Sequence, residues 1–246
     1  MVADEYDRGR PQYPAAAIAW LLGDQPVDVV DLGAGTGKLT EAAVAAGHRV
    51  TAVEPLAEMR AILSARLPEV PVVAASAEDT GLPTGSADAV IAGAAFHWFH
   101  RARAFPEIVR ILRPGGLLGL LGSRLDRSVP VAARVSEALD EGRRLGRAGH
   151  WPDADELSQW FRDVDPERRF PFGHPVDRGR LLDLAVSRSQ LAIRNPDERR
   201  QELQRLGAFW DADPDLADRE LVALPYMAVV VRARSVRDDL EYLNRL

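Results

Sequence analysis

The sequence predicts an α/β protein built on a mostly parallel sheet, and two observations carry that prediction. Short apolar runs bounded by Gly, Pro or Asp alternate with segments of helical period through the first half of the chain, the pattern of strands joined by crossover helices. The first of these runs also opens into a glycine-spaced turn followed by a helical segment, which is how a strand hands over to a ligand-facing helix in such sheets.

Taken in order, the elements begin with an upstream helix. Pro14 suits a first helical position, Ile18, Leu21 and Leu22 supply a buried face, and Gly23 stops it. The strand runs are Val27–Leu32, Val50–Val53, Val70–Ala74, Ala87–Ala92 and Leu117–Leu121. Between them, Leu39, Ala43 and Ala46 precede Gly47, Leu56, Met59 and Leu63 follow Pro55, and Phe105, Ile108 and Leu112 precede Arg113-Pro114-Gly115-Gly116. Each set makes one apolar helix face for a sheet. The second half is less regular, with helices expected over Val131–Arg144, Ala154–Phe161, Arg180–Ile193 and Glu198–Trp210, and strands over Arg168–Phe172 and Leu221–Arg234. The last contains Val229-Val230-Val231, a β-branched run that fits a buried or half-buried strand. No repeat, low-complexity tract or Gly/Ser linker marks a boundary, so the later helices are read as a cap on the same domain.

Composition narrows the function. A chain of 246 residues, 46% hydrophobic, buries roughly 70–75% of its unfolded surface, enough for one large core. With 37 acidic against 31 basic residues the net charge is −6, so no net positive field holds a phosphate backbone and nucleic acid is not an expected partner. The absence of cysteine removes disulfides, thiolate zinc sites and Cys nucleophiles. No apolar run reaches the roughly 20 residues of a bilayer span. The start Met1-Val2-Ala3-Asp4-Glu5 lacks a basic n-region and an apolar h-region, and a cytoplasmic protein without membrane contact is expected.

The chemistry-bearing stretch is Val29-Val30-Asp31-Leu32-Gly33-Ala34-Gly35-Thr36-Gly37. Glycine at these points permits positive φ and lets backbone approach a ligand, while the following helix offers free N–H groups and a partial positive end. Twenty-one residues after Gly33, at the end of the next strand, stands Glu54, where a carboxylate accepts both ribose hydroxyls of a nucleoside. The plainer alternative is a tight strand-to-helix turn beside a solvated acid. Dinucleotide binding is the sharper rival, but its fingerprint is G-x-G-x-x-G, whereas these glycines occupy every second position and Lys38 follows the third.

These residues resemble the class I S-adenosylmethionine-dependent methyltransferases of the type 11 group. The resemblance rests on Asp31-Leu32-Gly33-Ala34-Gly35-Thr36-Gly37, Glu54, Ser76-Ala77-Glu78-Asp79, the strand opened by Asp88, and Leu112-Arg113-Pro114-Gly115-Gly116. It implies a Rossmann-like, seven-stranded, mostly parallel sheet with an antiparallel last strand, helices on both faces and a helical cap from the C-terminal half. The expected organisation is one domain over 1–246, with an N-terminal lid and helix in 1–25 and a cofactor-binding core in 26–123. Cap helices and a strand fill 124–215, and the final strand and tail 216–246.

Carried over by position, the resemblance implies S-adenosylmethionine as cofactor. Gly33, Gly35 and neighbouring backbone would hold the methionine moiety and Glu54 the ribose, with Asp31 and Ala34 also among the cofactor-binding residues. Leu56 would lie on the adenine face and Ala77 would meet the adenine edge, flanked by Ser76, where many members carry Asp, and Glu78. Ala94 and Ala95 would face the donor end. A narrower resemblance, in Tyr6-Asp7-Arg8-Gly9-Arg10-Pro11-Gln12-Tyr13-Pro14 and Phe96-His97-Trp98-Phe99, is to the trans-aconitate methyltransferase-like subgroup, which methylates small carboxylates or other small molecules. Ser187-Arg188-Ser189 and Leu224-Pro225-Tyr226 resemble pieces of its second half.

Methyl transfer from a sulfonium needs alignment above all. A carboxylate acceptor requires no general base; an alcohol, phenol or amine can, and His97 is the candidate, with a helix-capping or partly buried histidine as its alternative. Trp98 either walls the acceptor pocket or packs in the core. Tyr6, Arg10 and Tyr13 form either a lid, with Arg10 forking onto a carboxylate, or a solvated arm. Tyr6 and Arg10 join His97 as catalytic candidates, and Tyr13, Trp98 and Arg188 are the candidates for holding substrate. His150, Trp151, Arg188 and Arg194 each read more readily as surface or packing residues than as ligands. No His/Asp/Glu grouping has metal-site spacing, so no metal is expected. A nicotinamide-dependent oxidoreductase and a non-catalytic S-adenosylmethionine-binding protein are the alternatives, and a monomer or homodimer is expected.

Overall fold

A computed structural model describes residues 3–139, 152–187 and 195–236 of the chain. Its strands are β1 (Asp28–Leu32), β2 (Arg49–Val53), β3 (Val72–Val73), β4 (Ala87–Gly93), β5 (Leu112–Leu125), β6 (Phe161–Arg162), β7 (Arg168–Val176) and β8 (Val222–Ser235). The helices are α1 (Ala3–Gly9), α2 (Ala15–Leu22), α3 (Lys38–Ala45), α4 (Ala57–Arg66), α5 (Arg101–Ile111), α6 (Pro130–Ala138), α7 (Ala154–Ser158), α8 (Arg178–Val186) and α9 (Pro196–Ala212).

The sheet runs β3-β2-β1-β4-β5-β8-β6, with β7 also paired to β8. Strands β1 to β5 pair in parallel, and β6 runs antiparallel to β8. This is the expected Rossmann-like mixed sheet, with the two-residue β6 as an addition. From β1 the chain steps outward through β2 to β3, then returns to place β4 on the other side of β1. The order therefore reverses between β1 and β4, and in open α/β sheets ligands bind outside the carboxyl ends of the strands at such a point.

The helices follow the sequence pattern where apolar periodicity is strong. On α5, Ala104, Phe105, Ile108, Val109 and Ile111 are all buried. On α3, Leu39 and Ala43 are buried as expected, but the helix ends at Ala45 and the exposed Ala46 caps it. Strand β5 is longer than the apolar run Leu117–Leu121 because pairing with β4 extends back through Arg113-Pro114-Gly115-Gly116 to Leu112, across a register shift. Helix α7 stops at Ser158, three residues short of expectation; Phe161 and Arg162 instead pair with Ser235 and Arg234. The ends of the expected helices Val131–Arg144 and Arg180–Ile193 lie outside the described residues.

At the opposite edge, Arg113 ties the starts of two strands, donating to Asp28 at 2.9 Å and pairing with Asp88 at 2.6 Å. Asp28 also receives Arg49 at 2.6 Å, and its own N–H donates to Asp88. Two pieces of the family resemblance, Asp88 and Arg113, thus serve the amino ends of β1 and β4.

The chain divides into two compact units. One takes the described residues of Tyr13–Gly122, Ala148–Phe170 and Ala228–Leu246, the other those of Met1–Gln12, Ser123–Arg147 and Pro171–Met227. The first has its main core around Leu32, Val90, Phe105, Ile108, Leu118 and Phe161. The second has its own, around Val135, Leu181, Leu184, Leu206, Trp210 and Tyr226. In it Arg134 is held by Asp213 at 2.6 Å and Asp215 at 2.6 Å.

Candidate active site

The glycine turn leaves β1 with Gly33 at φ 64° and Gly35 at φ 59°, a region costly for residues with a Cβ. The two glycines are needed for different reasons. A Cβ on Gly33 would stand 2.7 Å from the Ala95 Cβ and 3.3 Å from the Phe99 ring, so the turn packs directly on the loop after β4. A Cβ on Gly35 would meet nothing within 4 Å, so only its φ demands glycine and the space beside it is open. The N–H groups of Gly33 and Ala34 both donate to the Val53 carbonyl, at 2.8 and 3.2 Å, which folds the turn over the end of β2.

Glu54 follows Val53 and is 5% exposed. Its carboxylate accepts the Gly35 N–H at Oε2 and the Leu56 N–H at Oε1, each at 2.9 Å. Every carboxylate oxygen has more than one acceptor direction, so both retain capacity for a ligand hydroxyl. Arg60, on α4, donates from Nη1 to the Glu54 and Pro55 carbonyls at 2.9 and 2.7 Å. Leu56 is 43% exposed, unusual for a large apolar side chain here.

Asp31, the last β1 residue but one, is fully buried. Thr40 donates its hydroxyl to Asp31 Oδ2 at 2.6 Å, and Oδ1 has no hydrogen-bond partner. Burial pushes this carboxyl up to about 7; the Thr40 hydrogen bond opposes the rise and the nearby Glu54 charge adds to it. The Thr36 hydroxyl is buried and unpartnered as well. Buried polar atoms without partners are costly, and both adjoin the glycine turn.

After β3, Ser76 and Asp79 form a bridge that turns the chain. Ala77 is buried at 4%, its methyl part of the core. Glu78 Oε1 accepts the His100 N–H at 2.7 Å. Burial works to raise the Glu78 carboxyl, but hydrogen bonds from the His100 amide and Ser76 and the Arg103 charge hold it below the ordinary range. At the end of β4, Ala94 has φ 53° although it carries a Cβ, and its N–H donates to the Leu121 carbonyl at 2.8 Å. Non-glycine residues in this region concentrate at functional sites. A short 3-10 turn over Phe96–Trp98 follows. Phe96 packs on Phe99 and Phe105, with ring centroids 5.3 and 5.5 Å away. His97 and Trp98 point outward, their rings 4.8 Å apart, and Trp98 is 70% exposed. Tyr13 reaches the tip of β4, where a Cβ on Gly93 would lie 2.7 Å from its hydroxyl.

The carboxyl edge of β1 to β4 therefore brings together Asp31, Gly33, Ala34, Gly35, Glu54, Leu56, Ser76, Ala77, Glu78 and Ala94, with His97, Trp98 and Tyr13 in the same unit. Tyr6 and Arg10 belong to the other unit. Arg10 donates to the Ser187 hydroxyl at 3.1 Å and lies over the Tyr6 ring at 5.1 Å. Arg8 pairs with Asp183 at 2.7 Å, and Gly9 sits where a Cβ would be 2.3 Å from the Leu184 nitrogen, so this segment is clasped against α8. Arg188 lies outside the described residues, as do His150, Trp151 and Arg194. Among the described residues no group of three or more His, Asp or Glu is placed to hold a metal ion, and no helix is long and apolar enough to cross a membrane. Sequence reasoning missed Thr36, Thr40, Arg60 and His100. For Thr40 the signal was a hydroxyl next to Leu39 on the buried side of α3.

A glycine turn facing a strand-end acid at the reversal point of a parallel sheet is the geometry of the Rossmann-like class and marks the candidate site. Comparison with known proteins carries this to a family. Residues 30–120 match the family described as methyltransferase domain. An uncharacterized methyltransferase of Mycobacterium tuberculosis is 39% identical over 230 residues, covering 93% of this chain and 91% of that protein. Among solved structures, a protein assigned as a type II methyltransferase from Anaeromyxobacter dehalogenans superposes with a TM-score of 0.63 at 24% identity, covering 92% of this chain and 97% of that one. A Haemonchus contortus phosphoethanolamine N-methyltransferase, solved with S-adenosylhomocysteine and phosphomonomethylethanolamine, shares the fold with a TM-score of 0.52 at 15% identity, covering 89% and 51%. The chain belongs to the S-adenosylmethionine-dependent methyltransferase family.

Proposed function

We propose that the chain binds S-adenosylmethionine between the glycine turn and Glu54 and transfers its methyl group to a small-molecule acceptor bearing a carboxylate or hydroxyl. The observation that carries this reading is the Glu54 carboxylate bound to the Gly35 amide beside the open face of Gly35. The residues present fit the cofactor. Asp31 Oδ1 and the Thr36 hydroxyl are buried polar atoms in want of partners, Glu54 suits a ribose diol, and exposed Leu56 supplies an apolar surface for a base. When bound, the cofactor supplies a methyl group on a sulfonium, already activated toward displacement.

The chain's own residues then have three tasks. Gly33, Ala34, Gly35 and Asp31 hold the amino-acid end, Glu54 the ribose, and Leu56 with the Ser76–Glu78 turn the adenine. Ala94, strained at the tip of β4, sets the backbone toward the donor end. Tyr13, His97 and Trp98 line the acceptor side. Fixing the reactants in line contributes roughly 7–11 kcal/mol toward the barrier. An ionised carboxylate needs nothing more, whereas a hydroxyl acceptor gives its proton to His97. The Tyr6–Pro14 and Phe96–Phe99 segments support a small acid acceptor, as in the trans-aconitate methyltransferase-like subgroup.

Calorimetric titration with S-adenosylmethionine, S-adenosylhomocysteine and NAD tests the cofactor, and turnover on a panel of small carboxylates and phenols tests the acceptor class. Binding of NAD with no response to either adenosyl ligand would sink the reading.

A further inference from the structure

Glu78 spans two parts of the site. Its neighbours Ser76 and Ala77 form the turn after β3, while its carboxylate reaches the loop after β4 and accepts the His100 N–H at 2.7 Å. His100 is a junction. Its carbonyl accepts the Arg103 and Ala104 N–H groups, at 2.8 and 2.9 Å, that start α5, and its own side chain makes no cap hydrogen bond. The loop from Phe96 to His100 is thus fixed at both ends. Phe96 is sunk in the aromatic core, 5% exposed, and His100 is bound to Glu78. Between these anchors stand His97 and Trp98, both exposed.

We propose that Glu78 is a positioning residue that joins the turn at the adenine edge to the loop presenting His97 and Trp98, so that cofactor occupancy stiffens the acceptor loop before the acceptor arrives. The inference rests on the reading of the Ser76–Glu78 turn as part of the cofactor site. The coupling is short and physical. A ligand that orders the backbone of Ala77 also orders the next residue, whose side chain is the tether of His100. Exposed segments with few buried contacts sit at the low-stability end of a fold and respond most to such ordering. Glu78 acts through the loop and needs no contact with the acceptor.

The test is hydrogen exchange of residues 96–101 in the full chain, with and without S-adenosylhomocysteine, beside calorimetry of the same ligand. In the wild type, ligand slows exchange at His100 and its neighbours by about tenfold. Glu78→Ala exchanges fast at these positions and no longer responds to ligand, each protein being compared at a ligand concentration that its own calorimetry shows to be saturating. Glu78→Gln keeps an oxygen to accept the His100 N–H and restores the response, which a general loss of fold would not. Should Glu78→Ala, saturated with ligand, leave the exchange and its ligand response unchanged, the tether is not what Glu78 provides. A wild type that binds no S-adenosylhomocysteine removes the cofactor reading itself, and calorimetry shows this before any variant is made.

Discussion

The Glu54 carboxylate and the Gly35 amide are hydrogen-bonded at 2.9 Å, across the gap between the ends of β2 and β1. The acid therefore braces the glycine turn as well as facing the ligand space. Glu54→Ala removes the acceptor of two N–H groups and, in the proposed function, that of the ribose. Charge-assisted hydrogen bonds of this kind contribute about 1.5–3 kcal/mol, so affinity for S-adenosylhomocysteine should fall by roughly 10- to 100-fold. Calorimetry giving equal affinity in wild type and variant would end the ribose assignment.

Gly33 and Gly35 should fail differently. Gly33→Ala drives a Cβ to 2.7 Å from that of Ala95, and with its positive φ the folded state should lose about 2–4 kcal/mol in urea unfolding. Gly35→Ala meets no atom and pays only for φ, about 1–2 kcal/mol, yet its methyl enters the space assigned to ligand. The expected pattern is a larger stability loss at Gly33, and at Gly35 a binding loss out of proportion to its smaller stability loss. The reverse pattern would place the ligand elsewhere.

Much of this was legible because it is local. The strand runs, the glycine spacing and the position of Glu54 depend on neighbours within one βαβ unit, where period and turn chemistry speak directly. What escaped depends on distant pairing. Phe161 reads as the end of a helix until Ser235 offers it a strand edge. The Thr40 hydroxyl looks like a blemish on α3 until helix packing sets it on Asp31. Glu78 and His100, 22 residues apart, meet only because β3 and β4 deliver their loops to the same edge. Tyr13 was legible as a residue of interest, but its place at Gly93 was not.

Arg113 offers a control at the far edge of the sheet. Arg113→Met removes a cation shared by Asp28 and Asp88 while keeping an unbranched apolar stem. Both ion pairs are partly solvated, so roughly 1 kcal/mol of stability should be lost. Affinity for S-adenosylhomocysteine should stay within about twofold of wild type. A large binding loss would mean that the two sheet edges are coupled through β1 and β4.

His97 can be separated from the cofactor site. His97 stands exposed beside Trp98, and its ring makes contact with that indole. His97→Ala should leave S-adenosylhomocysteine affinity nearly unchanged and lower turnover by about 10²- to 10⁴-fold for a hydroxyl acceptor, with little effect for a carboxylate. A pH–rate profile that is the same in wild type and variant on a hydroxyl substrate would remove His97 as the base.

Asp31 makes the ligand-free protein sensitive to pH in a direction opposite to most carboxylates. Burial raises its carboxyl to about 7 in the folded chain, from an ordinary value of 3.8. Between those values the folded protein holds a proton that the unfolded chain releases, so stability is greatest on the acid side, declines as pH rises from about 4 to 7, and is level above. The full decline is worth roughly 4 kcal/mol. His48 works the other way. Its ring is buried with no hydrogen-bond partner at either nitrogen, and burial lowers its pKa; its contribution is present above about 6.5 and lost as pH falls. The two trends overlap in the wild type, but Asp31→Asn isolates one of them. Its amide oxygen still accepts the Thr40 hydroxyl, it cannot ionise, and His48 contributes equally to both proteins. Urea unfolding at pH 5 and pH 8 should therefore show the variant gaining on the wild type as pH rises. A difference between the two proteins that does not change with pH would mean that Asp31 is not the buried acid holding the proton.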